Sequence, residues 1–224
     1  MESAINCGVK PVVLRQQYRM PPDVAQFSNH TFYYDKLQHS ARHKFIDDLP
    51  TGTSLMLWDI PSISQRERNG TSYFNEAEAN AVIDSIQALT VRSDVEAKQI
   101  GVITPYRAQE LLINSKLCKL SFCSDLDVST IDRFQGSEKD VIIVSFVKAE
   151  MGSAGFLCDK RRLNVALTRA RRAVILIADI ENFLLLPKYS RPFVTIAIHW
   201  DAYFLGTHGR YIRVKQHPKL KFLL

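Results

Sequence analysis

Five arginines fall within RRLNVALTRARR, residues 161–172. A guanidinium is the side chain that carries a permanent positive charge in a planar fork of donors. Leu163, Ala166, Leu167 and Ala170 recur at helical spacing, which predicts a short helix with one apolar stripe. Arg162 and Arg169, seven residues apart, would then project together from the opposite side. Small neighbours, Thr168 and Ala170, leave Arg169 free to be aimed. A positive charge held on a rigid element suits phosphoryl transfer, which needs charge against the phosphate more than covalent help. The plain alternative is a solvated helix face on which arginines do nothing but coat the surface.

Three other segments concentrate chemistry. QQYRM (16–20) puts an aromatic face, Tyr18, beside a cation, Arg19. TPYRAQ (104–109) gathers Thr104, Tyr106, Arg107 and Gln109, a hydroxyl, aromatic, basic and amide set suited to phosphate contact and base stacking on a single strand. Thr104 followed by Pro105 is equally suited to starting a helix, and both roles can hold together. FQGSEKD (134–140) contains Gly136, whose turn lets backbone approach a ligand closely.

These segments need elements to position them. VVL (12–14), SLMLWDI (54–60), IGVIT (100–104), DVSTI (127–131), DVIIVSFV (140–147) and AVILIA (173–178) read as strands. Helices are expected from Pro21 or Pro22, from Asn75 (a capping-box-like start with Glu78) to about Thr90, and from about Ala108 to Cys118. Apolar runs without polar alternation, spaced by helices, predict an α/β fold: a three-layer, mostly parallel sheet with helices on both faces. Functional loops of such sheets are expected at the carboxyl ends of the strands. The tail after Pro187 mixes aromatics and basics without a period, so the division expected is 1–186 as one domain and 187–224 as an irregular tail, either an edge strand or sequence outside the core fold.

Composition sets bounds on function. At 224 residues, 46% hydrophobic and 23% charged, the chain suits one sizeable core. A formal net charge of +6 admits nucleic acid or nucleotide phosphates as partners without requiring them. The four cysteines form no CxxC pair, which argues for reduced thiols and against a metal site. No signal peptide or membrane-length apolar run is present in the sequence, and a cytoplasmic or nuclear location is expected. His30, His39 and His43 lie in a polar stretch and make no nucleophile-and-base set, which disfavours a small-molecule α/β enzyme.

Taken in order, QQYRM, GVITPYRAQ, STIDRFQGSEKD and GFLCDKRRLNVALTRAR resemble the second RecA-like motor domain of Upf-like superfamily-one helicases. The resemblance covers roughly residues 11–180. It implies Arg169 as the arginine finger, Arg19 as a second phosphate contact and Tyr18 as the residue stacked on the nucleotide base. It implies Glu138 on the ribose hydroxyl, Gln135 reaching the phosphate end and Gly136 shaping their turn. Thr104, Tyr106, Arg107, Gln109 and Thr130 become candidate contacts to single-stranded RNA or DNA. The implied cofactor is ATP with Mg²⁺, yet the chain has no GxxxxGK[ST] loop and no strand ending in an acidic pair. In the family both belong to the first RecA-like domain. The expectation is therefore the C-terminal half of a two-domain motor, inactive by itself, with a non-catalytic binding module as the alternative.

Overall fold

The computed structural model describes side chains at residues 7–8, 12–39, 46, 54–120, 125–147 and 160–179, and backbone alone at 203–205 and 211–213. In chain order the elements begin with β1 (Gln16–Gln17), α1 (Pro22–Phe32), β2 (Gln38–His39), β3 (Leu55–Asp59), β4 (Gln65–Arg66) and β5 (Tyr73–Phe74). There follow α2 (Glu76–Arg92), a 3₁₀ turn (Ala97–Gln99), β6 (Ile100–Thr104), α3 (Arg107–Leu117) and β7 (Asp127–Thr130). The last are β8 (Lys139–Ser145), α4 (Lys160–Leu167), β9 (Ala170–Ala178), β10 (Tyr203–Leu205) and β11 (Tyr211–Arg213).

The main sheet runs β11-β10-β3-β9-β8-β6-β7, and every pairing in it is parallel except the β10–β11 hairpin. Its apolar strands are continuous because both faces are covered. Along β9, Val174, Leu176 and Ala178 enter a core with α1 and α4, while Ala173, Ile175 and Ile177 enter a second core with α2 and α3. Two apolar layers thus sandwich one sheet, the three-layer α/β fold that the strand and helix pattern predicts. Backbone of the tail joins this sheet, with β10 lying parallel to β3 at its edge.

Helix starts follow local chemistry. Pro22 opens α1, where a missing N–H costs nothing. Asn75 caps α2 by accepting from the Glu78 amide at 3.1 Å. The reciprocal half of the expected capping box does not form. Glu78 turns inward instead, and the Asn75 amide donates to Gln109 Oε1 at 2.8 Å.

Three expectations about elements need correction. VVL is not a strand: among the described residues no strand pairs with it, and Val12 and Leu14 stand 90% and 81% exposed. The arginine helix ends at Leu167, so Arg169 sits in the turn before β9 rather than on the helix, and Arg171 and Arg172 belong to the strand. Arg162 therefore does not share a face with Arg169; it pairs with Asp132 at 3.3 Å. Helix α3 begins at Arg107 with Tyr106 at the N-cap position, not with Thr104. Ser72 Oγ supplies the acceptor there, taking the Ala108 amide at 3.0 Å.

Candidate functional site

Arg19, Glu138, Arg169 and Arg171 come from three separate segments and meet at the amino edge of β8 and β9. Strand pairing explains the convergence. The Lys139 amide donates to the Arg169 carbonyl at 3.1 Å, which sets the residue before β8 beside the turn before β9. Glu138 therefore lies at the end of the sheet opposite to the carboxyl edge where strand-end loops were expected, because the eight residues 131–138 cross the sheet face to reach it.

Arg19 is delivered by a turn that Gln17 builds. Gln17 Oε1 accepts from the amides of Arg19 (2.9 Å) and Met20 (2.8 Å), and its Nε2 donates to the Met20 carbonyl (2.8 Å). Met20 is thereby buried, while Tyr18 is presented outward and exposed. The Arg19 guanidinium donates through Nε to Glu138 Oε2 and through Nη1 to the Thr168 carbonyl at 3.1 Å. Arg171 binds the other carboxylate oxygen, Oε1, through Nε at 3.1 Å and through Nη2. These two partners, Arg171 first and then Arg19, hold the Glu138 carboxyl below the usual carboxylate range.

Arg169 is half-buried and caps the end of α4. Its Nε donates to the Val165 carbonyl at 2.9 Å, and Nη2 lies 3.4 Å from Thr168 Oγ1. Unsatisfied carbonyls and the negative end of the helix dipole both favour a cation there. Burial, then the nearby Arg19 charge, pull the Arg169 guanidinium below its ordinary value, and Glu138 opposes them. Three guanidiniums thus surround one carboxylate, and a desolvated arginine in such company gains from an added anion. Gln135 and Gly136 lie exposed on the way to Glu138. At Gly136 the requirement is backbone conformation: φ is +93°, and an added Cβ would meet nothing within 4 Å.

The second group of expected residues divides. Thr104 and Thr130 end the paired strands β6 and β7 and are in register with each other. Thr130 is half-exposed, but Thr104 is fully buried. Gln109 is also fully buried: Oε1 accepts from Asn75, and Nε2 donates to the Asn75 carbonyl (3.1 Å) and to Ser145 Oγ (3.0 Å). In this arrangement the Thr104 and Gln109 side chains are turned into the protein, and Gln109 ties α3 to Asn75 and Ser145. Tyr106 packs edge-on against Tyr73, ring centroids 5.5 Å apart. Arg107 is exposed and pairs with Glu110, which also engages Arg133 at 2.8 Å.

Several contributors escaped the sequence reading. Arg171 and Arg172 are adjacent in sequence, yet alternation along β9 sends Arg171 to Glu138 and Arg172 inward to Asp94 at 2.6 Å. Gln17 contributes by shaping the turn that delivers Arg19. Its turn-building amide has a sequence signal, since the acceptor lies two and three residues before the amides it takes. Among the described residues no group of three His, Cys, Asp or Glu side chains could hold a metal, and no helix is long and apolar enough to cross a membrane. Cys7 and Cys118 are free and exposed; Cys123, Cys158 and His43 lie outside the described residues.

Comparison with known proteins places this architecture. A family model for an AAA domain matches residues 1–181. The chain is 36% identical over 194 residues to the Regulator of nonsense transcripts 1 homolog of Arabidopsis thaliana, covering 80% of this chain and 15% of that protein. It is 37% identical over 193 residues to the ATP-dependent helicase NAM7 of Saccharomyces cerevisiae, covering 80% of this chain and 20% of that one. With the 5'-3' DNA helicase ZGRF1 of Mus musculus it shares 36% identity over 186 residues, 78% of this chain and 9% of the relative. The chain spans a fifth or less of the length of these relatives. With a matching domain over most of its length and relatives of this similarity, the chain belongs to the family of Upf-like superfamily-one helicases.

Proposed function

We propose that this chain is the C-terminal motor half of an ATP-dependent RNA or DNA helicase, completing an ATP site whose triphosphate and Mg²⁺ are held chiefly by a first RecA-like domain. The observation that carries the reading is the convergence of Arg19, Arg169 and Arg171 on Glu138 at one edge of the sheet. Arg169 supplies the finger that stabilises charge on the transferring phosphoryl group, and Arg19 supplies a second phosphate contact. Glu138 keeps acceptor capacity for a ribose hydroxyl, because a carboxylate offers about four lone-pair sites and the two arginines do not fill them. Exposed Tyr18 offers the flat face for the base. Gln135 reaches the phosphate end across the turn at Gly136.

The carboxyl edge of β6 and β7 faces single-stranded nucleic acid in this reading, with Tyr106, Arg107 and Thr130 as its contacts. The two edges are separated by the length of the strands, on the order of 15 Å for a five-residue strand. ATP binding across the first edge and strand contact along the second are then made by one rigid layer.

The test is ATP hydrolysis by the 224-residue chain and by the motor that joins it to a phosphate-cradling first domain. The chain alone turns over no ATP, and the joined motor does. Arg169→Ala lowers the motor's turnover by roughly 10³–10⁵-fold. Robust Arg169-dependent hydrolysis by the chain alone would overturn the half-site assignment. A joined motor that hydrolyses ATP equally well with Arg169→Ala would overturn the finger assignment and favour a binding module without turnover.

A further inference from the structure

We propose that Arg107 and Arg133, tied together by the buried carboxylate of Glu110, form a bracket for one backbone phosphate of the single strand at the carboxyl edge of β6 and β7. The inference rests on the reading that this edge faces nucleic acid, and it adds Arg133 as a contact and Glu110 as a positioning residue.

Topology brings the pair together. Arg107 opens α3, three residues beyond the end of β6, and Arg133 lies in the turn just after β7. The strands are neighbours, with Thr104 and Thr130 in register at their ends. Arg133 is anchored by its amide, which donates to the Thr130 carbonyl at 3.0 Å. Both guanidiniums then reach Glu110 Oε1, Arg107 across one helical turn and Arg133 from the neighbouring loop.

Glu110 is 2% exposed, and its other oxygen, Oε2, is buried with no hydrogen-bond partner among the described residues. Burying a carboxylate is costly unless cations compensate it, so the fold holds both arginines in place to do so. The arginine side chains nevertheless remain 56% and 64% exposed. Each gives one Nη1 donor to Glu110, which leaves the rest of its N–H fork free to turn outward. Two like charges are thereby pinned side by side beyond what one carboxylate neutralises. Asp132, the neighbour of Arg133, is engaged by Arg162 and does not quench them. A phosphate is the anion whose several acceptor oxygens fit two guanidinium forks at once. Half-exposed Thr130 and half-buried Tyr106 flank the pair, so a sugar–phosphate chain entering there also meets a hydroxyl and an aromatic ring.

Fluorescein-labelled oligouridylate and oligothymidylate, titrated with the full chain across a salt series, test the bracket. For a single strand, each phosphate neutralised contributes about 0.7 to the log–log salt slope, equivalent to about fivefold in affinity at about 0.1 M salt. Arg107→Gln and Arg133→Gln each weaken binding by about that factor and remove about 0.7 from the slope. Because the two share one phosphate, the double variant loses little more than either single one. Glu110→Gln raises the net charge by one, so simple electrostatics predicts tighter binding; the bracket predicts weaker binding, since its prongs are released. Each arginine variant leaves the buried Glu110 carboxylate one cation short and lowers the unfolding midpoint, so binding is compared at a temperature where every variant is fully folded by circular dichroism, which separates lost contact from lost fold. Wild-type binding with unchanged slopes in the arginine variants, or additive losses in the double, would overturn the bracket and leave the strand-contact reading standing. No binding by the wild-type chain at low salt would overturn both.

Discussion

Glu78 makes the sharpest thermodynamic claim in this fold. Its carboxylate lies fully inside the protein, where Oε2 accepts from Ser145 Oγ at 2.7 Å and from the Val147 amide at 2.9 Å. Gln109 donates in turn to Ser145, so one polar network joins α2, α3 and the end of β8. Val147 has φ +69°, which a β-branched residue adopts only when its surroundings impose it. Glu78 is part of that imposition. Burial pushes its pKa from 4.5 up to about 7, partly offset by the hydrogen bonds from Ser145, Val147 and Phe146, with Asp179 adding to the rise. Between those two values the folded protein keeps a proton that the unfolded chain has released, so stability falls as pH rises. The contribution is fully present below 4.5 and gone above about 7. At about 1.4 kcal/mol per pH unit the total is about 3 kcal/mol, or roughly 6–12 °C in melting temperature for a domain of this size. Glu78→Gln keeps an acceptor for Ser145 and Val147 but cannot ionise. Urea unfolding of wild type and Glu78→Gln across that window isolates the effect from every other titrating group. The stability gap should move by about 3 kcal/mol in favour of the glutamine as pH rises. A gap that stays constant with pH would refute the argument.

Other substitutions read separate parts of the structure. Asp94→Ala removes the carboxylate paired with the buried Arg172 guanidinium and should cost about 3 kcal/mol in denaturant unfolding, whereas Arg172→Met, which removes the buried charge itself, should cost clearly less. Phe134→Ala empties a fully buried site beneath the sheet and should cost about 3–5 kcal/mol by the same measurement. Gly101→Ala places a Cβ 2.7 Å from the Phe134 ring and 3.0 Å from Ile142 Cδ1, so it should lower stability by about 1–3 kcal/mol. Tyr18→Ala, exposed and outside both cores, should leave stability within about 0.5 kcal/mol but weaken nucleotide binding by the joined motor about tenfold in a fluorescent-nucleotide titration.

Four strands were legible because parallel strands buried on both faces carry unbroken apolar runs, those of β3, β6, β8 and β9, whereas β7, DVST, lies partly buried at the sheet edge and shows itself by β-branched residues. VVL carried the same signal and failed, since three residues of β propensity form no strand without a partner to pair with. The end of the arginine helix was hidden by Ala170, which continues the helical stripe of Leu163, Ala166 and Leu167 yet is the first residue of β9. Only the change from a period of 3.6 to a period of 2, visible in the split between exposed Arg171 and buried Arg172, betrays it. The buried position of Gln109 is hidden for a different reason. Its partners, Asn75 and Ser145, lie more than thirty residues away, and no local pattern announces a buried amide. Glu110 and Arg133 escaped likewise, because the neighbouring ends of β6 and β7 bring them together across the sequence.

The crossover 131–138 explains why one short segment serves both edges of the sheet. Parallel pairing obliges the chain leaving the carboxyl end of β7 to return to the amino end of β8, and eight residues suffice only if they run close over the sheet. Ile131 and Phe134 make that possible by burying themselves in the core with α1 and α4, Phe134 lying against Gly101, where any larger residue would block it. Arg133 is left at one edge and Glu138 at the other. Neither residue has to be placed by its own loop: the apolar pair Ile131 and Phe134 fixes the crossover, and the distance from the Arg133 guanidinium to the carboxylate under Arg19 follows from the length of β8. The polar residues of the crossover stand at the two edges, but its two apolar residues decide where those polar groups sit.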